Sequence, residues 1–522
     1  MRRAAFRRGG VAAKRSSVVE CPDMKTKSKS KVRGNAPMRV LFVVSECAPY
    51  AKCGGLGDVA ASLPKALAGM GVDVRVLMPL YDAVERERWG LVQTAPVQVR
   101  MGGGEVNGCG LWRTTADGGV PVYFLEHERY YARGGIYDRG GEAYGDQAWR
   151  FGLLCRAAMQ LCEERGWMPD VVHVHDWPTA LLAAMMASRR MQGNPFGRAG
   201  CVLTIHNQCY QGYCPASALG YLGLGAEVYH PGALESYGQI NALKGGIALA
   251  DAVTTVSPGY AREILDEPGG CGLSGLLRAR GAAFEGVLNG ADYDTWNPEE
   301  DGLLAMRYGS ATAATGKAAC KRALQSALGL DPDPETPLFG MVCRLAEQKG
   351  IGLLREALPR ALDAMQMQVA VLGAGNPADE DFLRHLAAER PSRVGVKIGY
   401  SEPLSHRIMG GSDFFLMPSL YEPCGLTQLY AMRYGSLPVV HATGGLDDTV
   451  EQYNEGTGEG TGFKFYDASA QALFDVTGWA VSTWFDRKEH LRAMRRRAMT
   501  RRFDWETSAR RYLEIYNRVA GR

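Results

Sequence analysis

The chain has 522 residues, of which 46% are hydrophobic and 22% are charged, a composition typical of a globular protein with two or three domains. No apolar run is long enough to cross a bilayer, so no membrane partner is predicted. Residues 1–37 hold eleven Lys and Arg against Glu20 and Asp23, a net charge of +9 that leaves −6 for the rest of a chain with a total of +3. A faintly acidic body does not favour nucleic-acid binding.

The basic tail of residues 1–37 contains Ser, Ala and Arg and lacks a long apolar stretch. This composition favours an organelle transit peptide over a disordered basic arm. The 13 cysteines are scattered and include no Cys-x-x-Cys pair, which predicts free thiols in a reducing compartment. Because His, Asp and Glu show no ligand spacing, no metal site is predicted.

Short apolar strands alternate with helical patterns from Met38 to about residue 300. The predicted strands cover residues 40–44, 74–78, 122–125, 171–174, 202–205, 252–256 and 284–288, with helices over 59–67 and 151–162 among others. Nearly continuous apolar strands separated by helices are typical of a parallel sheet covered on both faces. In open α/β sheets, ligands bind at the carboxyl edge of the strands.

The glycine-rich stretch Lys52-Cys53-Gly54-Gly55-Leu56-Gly57-Asp58 lies between the first predicted strand and the first helix. Amides at a helix start have no intrahelical partner, and glycines let an anion approach them. The stretch matches neither the dinucleotide fingerprint nor a P-loop. The lysine before the glycines and the aspartate after them nevertheless favour a phosphate site over a purely steric turn.

Two later strands of this half end in polar pairs, His175-Asp176 and His206-Asn207. A histidine at such a place is either a structural hydrogen-bond partner or part of a ligand site. Since two strand ends each deliver a polar pair, both pairs are candidates for the wall of a cleft.

The second half repeats the pattern of the first. Residues 301–335 lack a strand pattern and end in Asp331-Pro332-Asp333-Pro334, which predicts a helix or two and a hinge. Strands follow at 339–343, 369–372, 394–398, 414–417 and 437–440. Residues 336–500 are therefore predicted to form a second doubly wound domain, and 501–522 a closing helix. Two such domains joined by a hinge imply a cleft that the carboxyl edges of both sheets face.

Several polar residues follow the strands of the second half. Arg344 and Lys349 can converge on one anion, such as a diphosphate leaving group, unless they are solvated charges at a helix start. Glu422 stands in a loop before a helix, where a carboxylate can accept hydrogen bonds from sugar hydroxyls. The amides of residues 424–426 and the glycine turn at 443–446 suit a phosphate or a sugar oxygen.

Together these motifs resemble those of the starch synthase and bacterial glycogen synthase family, the fifth of the sequence-based glycosyltransferase families. The resemblance runs from about Met38 to the end of the chain. Its six stretches are Lys52 to Asp58, Thr204-Ile205-His206-Asn207, Leu288-Asn289-Gly290, Arg344 to Lys349, Glu422 to Gln428, and Thr443-Gly444-Gly445-Leu446. It implies a GT-B fold of the α/β class, in which two Rossmann-like doubly wound domains face a central cleft.

The same resemblance implies retaining transfer of glucose from ADP-glucose to the non-reducing 4-OH of an α-1,4-glucan, without a cofactor or a metal ion. The implied partners are ADP-glucose and a starch, amylopectin or glycogen primer. With the transit-like tail it points to a plastid starch synthase, and a cytoplasmic enzyme of bacterial type is the alternative. The alternative functions are a related GT-B transferase that uses UDP-glucose and a non-catalytic glucan-binding protein.

Site residues follow from the resemblance by position. Lys52 resembles the lysine on the donor and glucan side, Arg344 and Lys349 the pair that holds the diphosphate, and Glu422 the carboxylate that binds the transferred glucose. Tyr400 resembles the aromatic that stacks on adenine. The implied catalytic residues are Lys52, His206, Arg344, Lys349 and Glu422. The implied substrate-binding residues are Gly54, Gly55, Asp58, Asp176, Asn289, Tyr400, Cys424, Gly425, Leu426, Thr427, Thr443, Gly444 and Gly445.

Two positions depart from related patterns. Cys53 stands where Thr or Val is usual, which is a change between small side chains. Related families carry a second glutamate eight residues after the first, and here that position is Tyr430, as is usual in this branch. Because no second carboxylate is evident near Glu422, a covalent glycosyl-enzyme intermediate is poorly supported. Front-side attack through an oxocarbenium-like state is favoured instead.

Overall fold

The computed structural model describes residues 36–521, so the predicted transit peptide lies outside the described residues except for its last two positions. The first domain contains a ten-stranded sheet, a small three-stranded sheet and a two-stranded hairpin. Its strands are β1 (Arg39–Val43), β2 (Asp73–Pro79), β3 (Val92–Gln93), β4 (Val97–Arg100), β5 (Val106–Thr115), β6 (Pro121–Glu126), β7 (Asp138–Arg139), β8 (Glu142–Ala143), β9 (Val171–His175), β10 (Gly200–Ile205), β11 (Tyr213–Pro215), β12 (Glu235–Ser236), β13 (Gln239–Asn241), β14 (Ala252–Thr255) and β15 (Phe284–Gly286).

The large sheet has a parallel centre with the strand order β15-β14-β10-β9-β1-β2-β6. Antiparallel β5 extends the β6 edge and carries β3 and β4. From β1 the chain adds β2 and β6 on one side and then β9, β10, β14 and β15 on the other, as in a doubly wound sheet. The strand order therefore reverses between β1 and β9. Ligands of such sheets bind at this reversal, outside the carboxyl ends of the two strands.

Helices pack against the sheet of the first domain. They are α1 (Gly55–Gly69), α2 (Glu128–Tyr131), α3 (Gln147–Arg165), α4 (Asp176–Met191), α5 (Ala218–Leu222), α6 (Ala242–Leu249), α7 (Pro258–Glu263) and α8 (Ser274–Ala279). α3, α4 and α6 pack side by side. The central parallel strands β1, β9 and β10 are buried along almost their whole length, as their apolar sequences predict.

The second domain has a six-stranded, wholly parallel sheet in the order β18-β17-β16-β19-β20-β21. This order reverses between β16 and β19, so the second domain has its own ligand crevice at that point. Its strands are β16 (Leu338–Val342), β17 (Gln368–Gly373), β18 (Val394–Ile398), β19 (Phe414–Met417), β20 (Leu437–His441) and β21 (Phe463–Phe465). The helices after α8 are α9 (Ala313–Leu328), α10 (Ile351–Ala364), α11 (Pro377–Glu389), α12 (Glu402–Gly411), α13 (Thr427–Arg433), α14 (Gly444–Thr449), α15 (Ala470–Asp486), α16 (Lys488–Thr500) and α17 (Trp505–Val519).

The chain passes between the two domains twice. The predicted hinge 301–335 contains α9, which packs on α12, and Lys317 of α9 donates to the carbonyl of Gly410 at 2.9 Å. Most of this segment therefore lies with the second domain. The closing helix α17 returns to the first domain, where it packs against α1, and Tyr516 Oη lies 2.7 Å from His173 Nδ1.

Most predicted strands appear within one or two residues of their expected bounds, but three antiparallel features were not predicted. These are the β3–β5 extension, the sheet of β11 to β13, and the β7–β8 hairpin. Within residues 36–521, no helix is both long enough and apolar enough to span a membrane.

Candidate active site

The glycine loop after β1 folds around a buried carboxylate that the sequence analysis missed. Glu46 is 3% exposed, and its Oε2 accepts hydrogen bonds from the amides of Cys53 at 2.5 Å and Gly54 at 3.1 Å. Burial raises the pKa of Glu46, and the two amides oppose that rise. Two amides of the loop expected to bind an external anion are thus occupied by an internal carboxylate, because Glu46 lies shortly after the end of β1.

Lys52 lies at the rim of this loop and already has a partner. Its Nζ donates to Asp58 Oδ1 at 2.6 Å, and both side chains are partly exposed. Burial raises the pKa of Asp58, while Lys52 lowers it. Exposed ion pairs contribute little to stability, so Lys52 can leave Asp58 for a ligand anion at small cost. Gly55, the first residue of α1, borders open space.

The polar pairs after β9 and β10 meet, as their positions at strand ends predict. Asp176 Oδ1 accepts from the backbone amides of His206 at 2.6 Å and Asn207 at 3.3 Å. Burial raises the pKa of Asp176 to about 7. His206 Nε2 lies 3.1 Å from His175 Nδ1, and burial lowers the pKa of His206 to about 3. The imidazole of His206 is therefore neutral at physiological pH and offers a hydrogen bond without a charge.

The first domain forms the first wall of the cleft, and the second domain forms the second wall. The second wall carries an ion pair and an unpaired cation. Lys349 Nζ donates to Glu422 Oε2 at 2.5 Å, and Ser419 Oγ donates to the same oxygen at 2.9 Å. Glu422 is 6% exposed. Arg344 is exposed, and among residues 36–521 its guanidinium has neither a hydrogen-bond partner nor an ion-pair partner. Of the two predicted diphosphate cations, Arg344 is therefore available, whereas Lys349 holds Glu422.

A recess with an empty volume of about 400 Å³ lies where the second sheet reverses its strand order. Residues from the ends of β16 and β19 line it, together with Lys349, Ser419 and Thr427. Among the residues with coordinates described, no group of three or more His, Cys, Asp or Glu is placed to hold a metal ion.

The turn at Gly444 and Gly445 supports the Glu422 loop from behind. The amide of Gly445 donates to the carbonyl of Glu422 at 3.0 Å. A Cβ atom on Gly444 would lie 2.1 Å from that carbonyl oxygen, and one on Gly445 would lie 2.1 Å from the carbonyl oxygen of Cys424. Only glycine permits this approach, so the second glycine turn positions Glu422 through the backbone.

The remaining donors of that turn connect the two domains. The Thr443 hydroxyl and the Gly444 amide donate to Oε1 of Glu263, from α7, at 3.0 and 2.7 Å. Close by, Ser257 Oγ donates to the carbonyl of Pro423 at 2.6 Å. Thr443 and Gly444, predicted to bind substrate, are thus occupied by the first domain in this structure. Their contact with substrate stays a prediction.

The residues that open α13 are free to take a ligand. Among the described residues, no hydrogen-bond acceptor faces the amides of Cys424, Gly425, Leu426 and Thr427. Cys424 is buried against Asn289 of the first domain, and burial raises its pKa to about 12. The side-chain oxygen of Asn289 is buried without a partner in the described part of the chain, which leaves it an unused acceptor.

Two tyrosines of the second domain differ sharply in exposure. Tyr400, after β18, is 82% exposed and lies close enough to Lys52 and Asp58 to interact with their charges across the cleft. Tyr430, at the position of the missing second glutamate, is 6% exposed and stacks on Trp296 with ring centroids 4.5 Å apart. Tyr400 is therefore available to a ligand, and Tyr430 is part of the core.

Family models match both halves of the chain. The model described as starch synthase catalytic domain matches residues 39–279, and the model described as glycosyl transferases group 1 matches residues 329–499. Two curated relatives are glycogen synthase 1 of Geobacter metallireducens and glycogen synthase 1 of Geobacter sulfurreducens. They are 47% and 48% identical over 92% of this chain and 96% of their own length. Glycogen synthase of Anaeromyxobacter dehalogenans is 44% identical over 92% of this chain and 99% of its own.

Solved structures confirm the fold class. The catalytic domain of starch synthase IV from Arabidopsis thaliana, bound to ADP and acarbose, aligns with a TM-score of 0.86 and 34% identity over 94% of this chain and 100% of its own. Sucrose-phosphate synthase from Thermosynechococcus elongatus, at 17% identity and a TM-score of 0.57, shares the fold.

These comparisons do not support the plastid prediction, because the three curated relatives are bacterial; they fit the cytoplasmic alternative. With 47% identity over most of its length and two matched domains around one cleft, the chain belongs to the starch synthase and bacterial glycogen synthase family of glycosyltransferases and has the GT-B fold.

Proposed function

We propose that this protein transfers glucose from ADP-glucose to the non-reducing 4-OH of an α-1,4-glucan and retains the anomeric configuration. The observation that carries the proposal is the unpaired Arg344 beside the Lys349–Glu422 pair, where the second sheet reverses its strand order. A planar guanidinium without a partner suits a diphosphate, and a nearby carboxylate suits sugar hydroxyls. The relative of 34% identity that was solved with ADP and acarbose supports both ligand classes.

The donor is proposed to lie along the second wall. Arg344 binds the diphosphate, the free amides at the start of α13 bind an oxygen of the diphosphate or of the glucose, and Tyr400 stacks on adenine. Lys349 contacts both the diphosphate and Glu422, and its bond to Glu422 keeps the carboxylate aimed at the glucose. Lys52 joins them from the first wall after it leaves Asp58.

The transfer step is proposed to be a front-side displacement. The acceptor 4-OH attacks C1 of the glucose as the bond from C1 to the β-phosphate oxygen breaks, and the departing phosphate takes the proton of the acceptor. The three cations stabilise the negative charge that develops on ADP. Neutral His206 hydrogen-bonds the glucose as it passes through the oxocarbenium-like state, and Glu422 orients its hydroxyls.

Water must be excluded during this step, because it would hydrolyse the donor. The contacts of Glu263 with Thr443 and Gly444, and of Ser257 with Pro423, hold the walls together behind the site. Closure around bound donor is proposed to complete the cation cluster by moving Lys52 towards the second wall.

Incorporation of labelled glucose into a glycogen or amylopectin primer tests the proposal. ADP-glucose and UDP-glucose are compared in parallel, each with and without EDTA. Strong incorporation from ADP-glucose that survives EDTA is expected. Incorporation from UDP-glucose alone would leave the fold assignment unchanged and identify UDP-glucose as the donor. Primer binding without incorporation from either donor would favour the non-catalytic glucan-binding protein.

A further inference from the structure

A buried histidine at the end of β9 contacts the ring of His206 and has no role in the proposed transfer step. His175 is fully buried, and its Nδ1 lies 3.1 Å from Nε2 of His206. Its other ring nitrogen, Nε2, is buried without a hydrogen-bond partner in the described part of the chain. Burial, together with the imidazoles of His173 and His206, lowers the pKa of His175 well below its ordinary value. The ring of His175 is therefore neutral at physiological pH and carries one proton.

The nitrogen without a partner indicates where that proton lies. If His206 donated to His175, the proton of His175 would lie on Nε2, as a buried N–H without an acceptor. If His175 donates from Nδ1, its Nε2 is an acceptor with an unused lone pair. Buried N–H groups without an acceptor are rarer in native proteins than buried acceptors without a donor. His175 is therefore the donor, and Nε2 of His206 accepts.

Accepting this bond places the proton of His206 on its other ring nitrogen. In a neutral imidazole, the hydrogen bond made by one nitrogen sets whether the other carries the proton. His206 is half-buried, and its Nδ1 is open to solvent and has no partner between residues 36 and 521. His206 thus presents an N–H donor, rather than a bare nitrogen, to a ligand in the cleft.

The end of β9 holds both the ring and the backbone of His206. The rings of His173 and Phe42 pack on the ring of His175, with centroid distances of 4.1 and 5.1 Å, and fix its orientation. Asp176, the next residue, has a backbone φ of +52°, a conformation that aspartate adopts more readily than most residues. Its Oδ1 accepts from the amide of His206 at 2.6 Å. Two consecutive residues therefore orient His206.

We propose that His175 is a positioning residue that keeps the proton of His206 on Nδ1, so that His206 donates a hydrogen bond to a hydroxyl oxygen of the transferred glucose. This rests on the proposed function and gives the direction of one of its hydrogen bonds. A donor that is oriented in advance costs no reorganisation as the transition state forms, so its effect falls on kcat rather than on KM. Without the bond from His175, His206 can place its proton on Nε2, and that tautomer offers no donor to the glucose.

The ¹⁵N chemical shifts of the histidine rings test the tautomer in the wild-type protein, without a variant of His175. The protonated and the bare nitrogen of a neutral imidazole resonate in separate regions of the spectrum. The chain has nine histidines, and the signals of His206 are those that disappear from ¹⁵N-histidine-labelled His206→Asn. A proton on Nδ1 of His206 is expected. A proton on Nε2 of His206 would overturn the proposal.

Two substitutions of His175 separate its hydrogen bond from its packing. His175→Leu removes the donor and keeps an apolar side chain, whereas the amide of His175→Asn keeps a donor at the place of Nδ1. With ADP-glucose and glycogen, His175→Leu is expected to lower kcat about 10- to 100-fold and to change KM for ADP-glucose by about twofold at most. His175→Asn is expected to retain kcat within about threefold of the wild-type value.

His406→Leu is the matched control, because His406 is also a buried histidine, 2% exposed, but belongs to α12 of the second domain. It is expected to lower the urea midpoint and to keep the wild-type kcat. Equal losses of kcat in His175→Asn and His175→Leu, or in His406→Leu, would overturn the proposal, because the donor would then not matter. If the wild type transferred no glucose, the proposed function would fail, and the ¹⁵N shifts would still decide whether His206 carries its proton on Nδ1.

Discussion

Substituting Arg344 and substituting Lys349 are expected to affect stability differently, although both residues are cations of the proposed diphosphate site. Arg344 is exposed and unpaired among the described residues, whereas Lys349 is paired with buried Glu422 at 2.5 Å. Replacing each by alanine should therefore impair turnover in both variants but destabilise only one. The comparison separates a ligand-directed charge from a charge that also supports the fold.

The expected magnitudes follow from these environments. Truncating an exposed arginine changes the free energy of unfolding by about 0.5 kcal/mol or less. In Lys349→Ala, the Ser419 hydroxyl is the remaining partner of Oε2 of buried Glu422 among the described residues. Breaking a buried ion pair in this way lowers the free energy of unfolding by about 3–5 kcal/mol. Losing one cation that stabilises the departing ADP costs about 3–4 kcal/mol in the transition state, or roughly 100- to 1,000-fold in kcat.

Two measurements on each purified variant suffice. Initial rates of glucose incorporation from ADP-glucose give kcat, and urea denaturation gives the free energy of unfolding. Arg322→Ala is the matched control, because Arg322 is an exposed arginine of α9 on the second domain, remote from the strand ends of the cleft. Near-normal kcat in Arg344→Ala would refute its role, and wild-type stability in Lys349→Ala would refute the argument from the buried pair.

Three further predictions concern single contacts. Asp176→Asn should stabilise the protein more at pH 8 than at pH 5. The folded state keeps the Asp176 proton up to about pH 7, whereas the unfolded state releases it near pH 3.8. The free energy of unfolding of the wild type therefore falls as pH rises across that window, by at most about 2–3 kcal/mol between pH 5 and 8. Urea titrations at both pH values check this. Glu46→Ala should speed hydrogen exchange of the Cys53 and Gly54 amides about tenfold or more, and Glu46→Gln should retain their protection. Glu263→Ala should raise the ratio of ADP-glucose hydrolysis to transfer, measured as free glucose against labelled glucan, because the walls lose a contact.

The main architecture was predictable because its strands are buried on both faces. Runs such as residues 40–44 and 414–417 are wholly apolar, and the helices between them impose parallel connections. The antiparallel additions were missed for the opposite reason. β4 alternates buried and exposed residues over only four positions, and β11 to β13 are two or three residues long, so neither gives a periodic signal.

The positions of the site residues were predictable, but their partners were not. Strand ends brought Asp176 to His206, as the rule for parallel sheets requires. The Lys349–Glu422 pair joins residues 73 positions apart, and the Gly444–Glu263 contact joins residues 181 positions apart. No local pattern specifies such long-range pairs.

Glu46 is the residue for which a sequence signal existed and was not used. It follows β1 almost directly, as Asp176 follows β9, and a carboxylate before a glycine loop is a natural acceptor for the amides of that loop. The amides of a glycine loop suit an external anion and an internal carboxylate alike, so the glycines alone do not distinguish the two.

The linkage made by the protein tests the central claim most directly. Glycogen labelled from ADP-glucose would be digested with β-amylase, which removes maltose from non-reducing ends joined by α-1,4 linkages. Retaining transfer to the non-reducing 4-OH predicts that nearly all newly added label is released as maltose. Incorporated label that resists β-amylase would contradict at least one of three claims: retention of configuration, transfer to a 4-OH, or addition at the non-reducing end. It would thereby contradict the proposed geometry of transfer in this cleft.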